Sequence, residues 1–494
     1  MVRIDNDNVT SSLRSAMAKR ARWRYGVMLS NSFLVFGVYY FMPIPVSLQN
    51  EMTNSADTYI GSNSTKNQIN CTVCLGLGEV RYNLLFSTTR WASVAVCLPS
   101  GLVIDRLGNG CSALLFTTLV FLGSILFTVG ATSHPPVTTP MYILMVIGYG
   151  FMAFGDVSLR LSQGRIISHY FQEETLTAVA FSFLAHFGDG LTFFTTPLTA
   201  NALGIQYAIW LGSLLCGISV LSAVLLALLL HLQPHIIEEK TEDKNTLTLA
   251  VVRALPGSFW LFTLALAFTI VSWLVKHANL PEYLELRHGY TMSEASHISA
   301  IAGCLAFITP FLCWIVKKID CDGITYSFFQ LLLLSFYFVL GFCPRVNIIF
   351  VSVVDGIGIF MATAISWQLI VVLCPPSSIG ILSGFVYMAR NTMPALTFIA
   401  SGYILKSGKV TNIDDALGRY QNFFFMLISL SIIGVIFGIL MNAADIREGG
   451  SLNSRIRRWK NSDMESLGLI SMGDLSNTYC GSKDTNEGTN ELPD

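Results

Sequence analysis

Long apolar segments alternate along the sequence with short polar ones. An apolar segment of about 20 residues crosses a bilayer as a helix, because the hydrocarbon core is about 30 Å thick and a helix rises about 1.5 Å per residue. On this criterion we predict twelve transmembrane helices, at residues 24–46, 82–104, 111–132, 141–163, 177–200, 205–231, 258–279, 294–316, 324–343, 346–373, 379–404 and 420–442. The pattern therefore predicts an all-α membrane protein.

Composition agrees with this class and argues against several others. Of the 494 residues, 52% are hydrophobic and 12% are charged, whereas a soluble protein has about 25% charged residues. The net charge of −1 gives no indication of nucleic-acid binding. The sequence has no G-x-x-x-x-G-K-[ST] phosphate loop and no nucleophile–base constellation, so we predict neither an enzyme nor a cofactor. Cys71 and Cys74 have C-x-x-C spacing but lack the second pair that completes a zinc site, so no metal is predicted.

Basic residues cluster before the first predicted helix, between the sixth and the seventh, and after the last. They are Arg14, Lys19, Arg20, Arg22, Arg24, Lys240, Lys244, Arg253, Arg455, Arg457, Arg458 and Lys460. An even number of helices places all three regions on one side, and the positive-inside rule makes that side cytosolic. Both termini are therefore predicted to be cytosolic and the loop 47–81 lumenal. That loop contains two N-x-[ST] sequons, so we predict glycosylation at Asn63 and Asn70.

The helices are predicted to form two six-helix bundles around a central cavity. The predicted order is a cytosolic N-terminal segment, the first bundle, a cytosolic linker, the second bundle and a disordered cytosolic tail, at residues 1–23, 24–231, 232–257, 258–442 and 443–494. The tail is assigned as disordered because it is polar and rich in Ser, Asn, Gly and Asp. Residues 317–323, after the eighth helix, weakly repeat the polar loop after the second helix. This repetition suggests two parallel halves.

Ionisable residues inside predicted helices are candidate site residues, because a charge at mid-bilayer costs at least about 3 kcal/mol. In the fourth helix, Asp156, Arg160 and Gln163 have the spacing i, i+4, i+7 and lie on one helical face. Asp156 and Arg160 can also pair directly. We interpret this face as the lining of a solute pathway; the alternative is an ion pair that locks the helix to a neighbour.

Two more helices contain candidates. His186 and Asp189, in the fifth helix, could form a proton site or part of a substrate pocket, or a polar contact between the bundles. Arg390 and Asn391, in the eleventh, indicate a gate or a ligand site. Asp355 of the tenth helix is a candidate partner for the arginine or a lumen-facing charge of the pathway. The remaining candidates are Arg90, as a gate or a snorkelling arginine, and Tyr40 and Trp367, as substrate contacts or packing residues.

A polar loop between the second and third helices reads Gly101-Leu102-Val103-Ile104-Asp105-Arg106-Leu107-Gly108. Its form, G-x-x-x-D-R-x-G, resembles the signature loop of the major facilitator superfamily of transporters. The resemblance implies that Gly101 and Gly108 allow close helix contacts, and that Asp105 and Arg106 bridge helices in one conformation and release them in another.

Further residues resemble one subgroup of that superfamily, the lysosomal dipeptide transporters. The matching segments are Phe36–Tyr40 with Pro45, Tyr82–Ser87 with Trp91, Gly155-Asp156, where the subgroup has a glycine and a glutamate, Trp367, Gly384-Phe385 and Gly402–Leu405. The resemblance implies a uniporter that exports dipeptides, with cationic ones preferred, and a glycosylated single-pass accessory subunit. The chain departs from the subgroup at His186, which replaces a basic residue, and at Arg160 and Arg390, which are additional.

The resemblance therefore implies a lysosomal dipeptide uniporter whose partners are a small-molecule substrate and the bilayer. Glu465, Leu469 and Ile470 form an acidic dileucine pattern, [DE]-x-x-x-L-[LI], in the predicted cytosolic tail. This pattern is typical of a lysosomal sorting signal; the plasma membrane and other endomembranes are the alternatives. Two other functions stay open. One is a proton-coupled carrier of another organic solute, with Asp156, His186 or Asp189 as the proton site, and the other is a non-transporting receptor or scaffold.

Overall fold

A computed structural model describes most of the helical part of the chain. The described residues are 23–53, 75–132, 137–171, 179, 183–232, 255–319, 321–343, 345–374, 379–406 and 413–453. They are mostly helical, and this part of the chain contains no strand. The all-α class predicted from the sequence is therefore confirmed.

The first six helices follow one another from residue 23 to residue 231. They are α1 (Trp23–Ser47, interrupted by turns at 34–35 and 42–43), α2 and α3 (78–107 and 109–132, the two arms of Gly78–Thr132), α4 (Thr139–Tyr170), α5 (Phe187–Leu203, preceded by the 3-10 turn Phe183–His186) and α6 (Ile205–His231). A short helix, Gln49–Thr53, follows α1.

Six more helices form the second part of the chain. They are α7 (Gly257–His288), α8 (Met292–Ile319, with the 3-10 turn Leu305–Ile308), α9 (Asp322–Phe342), α10 (Ile348–Leu373), α11 (Ile379–Leu405) and α12 (Ile413–Glu448). Helix α7 extends nine residues beyond its predicted end at 279.

The signature loop forms the turn between α2 and α3. Gly108 has φ +75°, a backbone conformation that glycine adopts without steric cost. Phe86 of α2 and Phe127 of α3 both contact the ring of Tyr149, at centroid distances of 6.1 and 4.7 Å, so the two arms form a hairpin. A Cβ at Gly101 or at Gly108 would meet open space. The expectation that these two glycines permit close helix contacts is therefore wrong for this conformation. Arg106 is exposed, and the side chain of Asp105 lies outside the described part.

Nine helices of the described residues are long and apolar enough to cross a membrane. The other three are α2, α5 and α11. Helix α5 has only 17 residues, and α2 and α11 contain Arg90 and the Arg390–Asn391 pair in their central parts. The predicted number of twelve spans and the cytosolic location of the termini stay predictions.

Helices α1–α6 pack mainly with one another, and so do α7–α12; we name these the first and second helix groups. Their main mutual contacts are α2 with α11 and α5 with α8. In the first of these, Ser87 Oγ donates a hydrogen bond to the carbonyl oxygen of Ala395 at 2.7 Å. In the second, a Cβ on Gly303 would lie 2.3 Å from the backbone nitrogen of Gly190, so α5 and α8 touch through their backbones, as small residues permit in membranes.

Candidate functional site

A cavity lies between the two helix groups. Its empty volume, which includes space open to solvent, is about 1080 Å³. Most lining residues are apolar or aromatic. The ionisable and amide residues of the lining are Arg90, Asp156, Arg160, His186, Asp189, His277, Arg390 and Asn391. The cavity lining thus contains charged and amide residues from both helix groups.

The pair on α4 has the geometry that its spacing predicted. Arg160 donates two hydrogen bonds to Asp156, from Nε to Oδ1 at 2.9 Å and from Nη2 to Oδ2 at 3.1 Å. The side chain of Asp156 is 6% exposed and that of Arg160 is 16% exposed. The guanidinium also lies over the ring of Tyr39, 4.8 Å from its centroid. The Asp156 carboxylate therefore has a bidentate cationic partner inside the cavity.

An aromatic contact connects α1 to the 3-10 turn before α5 and to α10. The rings of Tyr39 and His186 are 3.8 Å apart at their centroids. The edge of His186 meets Phe360 of the second group at 5.4 Å. His186 therefore lies at the boundary between the groups, where a relative movement of the groups would change its contacts.

A second polar contact crosses the same boundary. His277 Nε2 of α7 lies 3.5 Å from Asp189 Oδ1 of α5, and the imidazole stacks on Trp273 at 4.8 Å. The sequence interpretation missed His277. It lies two residues before the predicted end of its helix, but α7 continues to His288, and His277 lines the cavity. The rule that identified His186 would have found it with the correct boundary.

Two arginines face the cavity without a carboxylate partner among the described residues. Arg90 Nη1 approaches Asn391 Oδ1 at 3.5 Å, the outer limit of a hydrogen bond, and the buried Arg90 Nε has no hydrogen-bond partner in the described part of the chain. Arg390 lies over the ring of Tyr387, 5.0 Å from its centroid. The idea that Asp355 pairs with Arg390 is wrong, because Asp355 forms an ion pair with Lys276 of α7.

That Lys276–Asp355 pair lies behind the cavity lining, between α7 and α10. The side chains are 1% and 2% exposed. The ammonium also lies 4.8 Å from the ring centroid of Phe336 on α9. The pair thus connects three helices of the second group, and the sequence interpretation missed Lys276 for the same reason as His277.

Three predicted site residues lie outside the lining. The Tyr40 hydroxyl shares a hydrogen bond of 2.7 Å with Thr195, and Gln163 Nε2 donates to the carbonyl oxygen of Asn31 at 2.5 Å. Trp367 lies against Gly164 of α4. The glycosylation residues Asn63 and Asn70 and the sorting residues Glu465, Leu469 and Ile470 lie outside the described residues.

A carboxylate cluster lies near residue 75, at one end of the helix groups. Gln49 Nε2 donates to Glu282 at 2.6 Å and Asn50 Nδ2 to Glu285 at 2.5 Å, so α7 is joined to the segment after α1. Glu79 lies in the first turn of α2. Burial, together with the nearby charge of Glu282, raises its pKa to about 8. This end therefore contains a carboxyl group whose protonated form the surroundings favour.

Comparison with known proteins agrees with the signature loop and the helix arrangement. A profile of the Major Facilitator Superfamily matches residues 27–398. The crystal structure of a bacterial homologue of the iron transporter ferroportin, in an outward-facing state, is similar with a TM-score of 0.59 and 14% sequence identity. The similarity covers 85% of this chain and 99% of that one, and at this identity it shows a shared fold.

No curated protein matches the sequence. Among the described residues, no group of three or more His, Cys, Asp or Glu side chains could hold a metal ion.

The profile match covers most of the chain and agrees with the two helix groups, the cavity between them and the G-x-x-x-D-R-x-G loop. The chain is a multi-pass membrane protein that belongs to the major facilitator superfamily.

Proposed function

We propose that this protein is an alternating-access transporter of small zwitterionic solutes, and that its substrates are dipeptides exported from the lysosome by uniport. The observation that supports this most is the distribution of charge in one cavity between two helix groups. Carboxylates at Asp156 and Asp189 and guanidiniums at Arg90 and Arg390 line the same space. A dipeptide has an ammonium at one end and a carboxylate at the other, and matches both kinds of group.

In this proposal the substrate ammonium contacts Asp156, and its terminal carboxylate contacts Arg90 or Arg390. Asp156 is the acidic residue where the dipeptide-transporter subgroup has a glutamate. Arginine suits the other end, because its planar fork binds a carboxylate bidentately. Asp156, Arg90 and Arg390 all line this one cavity.

Contacts between the helix groups at the two ends of the cavity support the alternating part of the proposal. At the end near residue 75, Gln49 bonds to Glu282. At the opposite end, Trp367 of α10 packs against Gly164 of α4. Breaking one set while keeping the other would open the cavity to one side at a time, as in transporters whose halves rock around a fixed site.

Proton coupling is a second candidate, favoured by one contact. The Asp189–His277 pair joins the two groups inside the cavity and is an ion pair only when the histidine is protonated. A proton-coupled carrier would make and break this pair during transport. A pH gradient distinguishes the candidates, because uniport needs none.

The test is uptake by the purified protein in liposomes, with a panel of dipeptides and free amino acids, with and without a pH gradient. We expect saturable dipeptide uptake that needs no pH gradient. Asp156→Asn should abolish uptake, and Asp156→Glu, which keeps the carboxylate, should retain part of it. Arg81→Gln, at an exposed position of α2, is the control for expression and folding. Normal uptake by well-folded Asp156→Asn protein would contradict the proposed role of this residue.

The proposal includes a lysosomal location, a glycosylated lumenal loop and an accessory subunit. Leu469→Ala with Ile470→Ala should move the protein from lysosomes to the plasma membrane, because a sorting signal is read by a receptor and does not anchor the chain. Asn63→Gln with Asn70→Gln should increase gel mobility. Plasma-membrane residence of the unmutated protein would contradict the location and favour a general organic-solute carrier.

A further inference from the structure

The charges of the cavity lining do not balance. Three arginines, Arg90, Arg160 and Arg390, face two aspartates, Asp156 and Asp189. The formal charge is therefore +1 when both lining histidines are neutral, and higher when either is protonated. This excess belongs to the site itself, since the whole chain has a net charge of −1.

Pairing makes the imbalance larger for an incoming solute. Asp156 has a bidentate partner in Arg160, and Asp189 has His277 at 3.5 Å. Arg390 has no hydrogen-bond or ion-pair partner among the described residues; its one described contact is the ring of Tyr387. The Asp156 carboxylate is thus already paired, and Asp189 is paired when His277 is protonated, whereas Arg90 and Arg390 have no carboxylate partner among the described residues.

The two unpaired arginines belong to one locus. Arg90 Nη1 lies 3.5 Å from Asn391 Oδ1, and Asn391 follows Arg390 directly. Helices α2 and α11 pack against each other, as the hydrogen bond from Ser87 to Ala395 shows. The locus therefore presents two guanidiniums and an amide to the cavity, with Arg90 Nε buried and lacking a hydrogen-bond partner in the described chain.

A guanidinium at this depth needs an anionic or carbonyl partner, because an unpaired charge inside a membrane protein is costly. Carboxylates fit this requirement, since arginine donates two parallel hydrogen bonds to them. One carboxylate satisfies one arginine, and the terminal carboxylate of a neutral dipeptide supplies only that one. A solute with two carboxylates satisfies both arginines.

We infer that the cavity selects solutes with a net negative charge, specifically dipeptide-like molecules with one amine and two carboxylates. This inference rests on the proposed transport function and specifies its substrate class. It is opposite to the cationic preference that the family resemblance implies. Arg390 is one of the additional residues that distinguish this chain from that subgroup.

Three dipeptides that differ in one side chain test the inference: alanyl-glutamate, alanyl-glutamine and alanyl-lysine. Uptake is measured with purified protein in liposomes at one pH, and binding is measured separately as a ligand-dependent rise in melting temperature. We expect the KM for alanyl-glutamate to be at least 10-fold lower than that for alanyl-glutamine, and alanyl-lysine to be the weakest substrate.

Variants assign the preference to the two arginines. Arg90→Gln and Arg390→Gln should each reduce the ratio of the alanyl-glutamine KM to the alanyl-glutamate KM by at least 5-fold. Arg390→Lys keeps the charge without the planar guanidinium, and it replaces Arg390→Gln in this measurement if Arg390→Gln does not fold. Arg81→Gln, on the same helix as Arg90 but outside the cavity, should leave the ratio unchanged.

The outcomes separate this inference from the proposed function. Preferred uptake of the neutral or the cationic peptide, or an unchanged ratio in both arginine variants, would overturn the charge preference and leave the transport function standing. Absence of both uptake and binding for all three peptides would overturn the proposed function, and this inference with it.

Discussion

Removing one member of the buried Lys276–Asp355 pair should destabilise the second helix group by about 4–5 kcal/mol at pH 7. Asp355→Asn leaves the ammonium of Lys276 with 1% exposure. Its cost is limited by the free energy of losing a proton. For a lysine with an ordinary pKa of about 10.4 this is about 4.6 kcal/mol at pH 7. Lys276→Met leaves the Asp355 carboxylate, and protonating an aspartate with an ordinary pKa of about 3.9 costs about 4.2 kcal/mol.

Melting of the purified protein in detergent measures both effects. For a unit of this size, about 2–4 °C corresponds to 1 kcal/mol, so each single variant should melt about 8–18 °C lower at pH 7. The double variant Lys276→Met with Asp355→Leu should recover most of the loss, because replacing a whole buried ion pair by apolar groups is often neutral. Lys406→Met, at an exposed lysine, is the control. Single variants that melt within 2 °C of the unmutated protein would refute this reasoning.

Two further predictions concern the interfaces between the groups. Gly303→Ala should abolish uptake, because the new Cβ would lie 2.3 Å from the backbone nitrogen of Gly190. Gly150→Ala is the control and should retain uptake, because its Cβ would meet open space. Equal uptake by both variants would contradict the close contact. Burial and the charge of Glu282 raise the pKa of Glu79 to about 8. The contribution of protonated Glu79 to the stability of the folded protein is therefore fully present below about pH 4.5 and is lost as pH rises through 8. Glu79→Gln should therefore flatten the dependence of melting temperature on pH between 5 and 9, and an unchanged curve would contradict the assignment.

Much of the fold follows from the apolar pattern, because a helix that crosses lipid needs a long apolar segment. The Asp156–Arg160 pair was also predictable, since i, i+4 spacing within one helix determines which side chains can meet. The partner of Asp355 was not, because it lies on another helix. Lys276 and His277 were missed because the apolar pattern ends before α7 does, and polar residues at that point of the sequence look like a helix end.

The rotation of each helix about its own axis could not be predicted from the sequence either. Tyr40, Gln163 and Trp367 lie in the correct helices but behind the cavity lining, and packing against neighbours determines such rotations. The same physics explains why α2 and α11 fall short of an ordinary membrane span. Their arginines and the amide of Asn391 face the cavity rather than lipid, so the helices tolerate them.

Trans-stimulation tests the central claim, a cavity that alternates between the two sides of the membrane, most directly. Purified protein is placed in liposomes loaded with unlabelled alanyl-glutamate, and entry of the labelled dipeptide is followed. An alternating-access carrier returns faster with substrate bound than empty when the empty return is slow, so we predict faster labelled entry into loaded than into empty liposomes, and loss of this effect in Asp156→Asn. Equal entry into loaded and empty liposomes, or acceleration that persists in Asp156→Asn, would contradict the account.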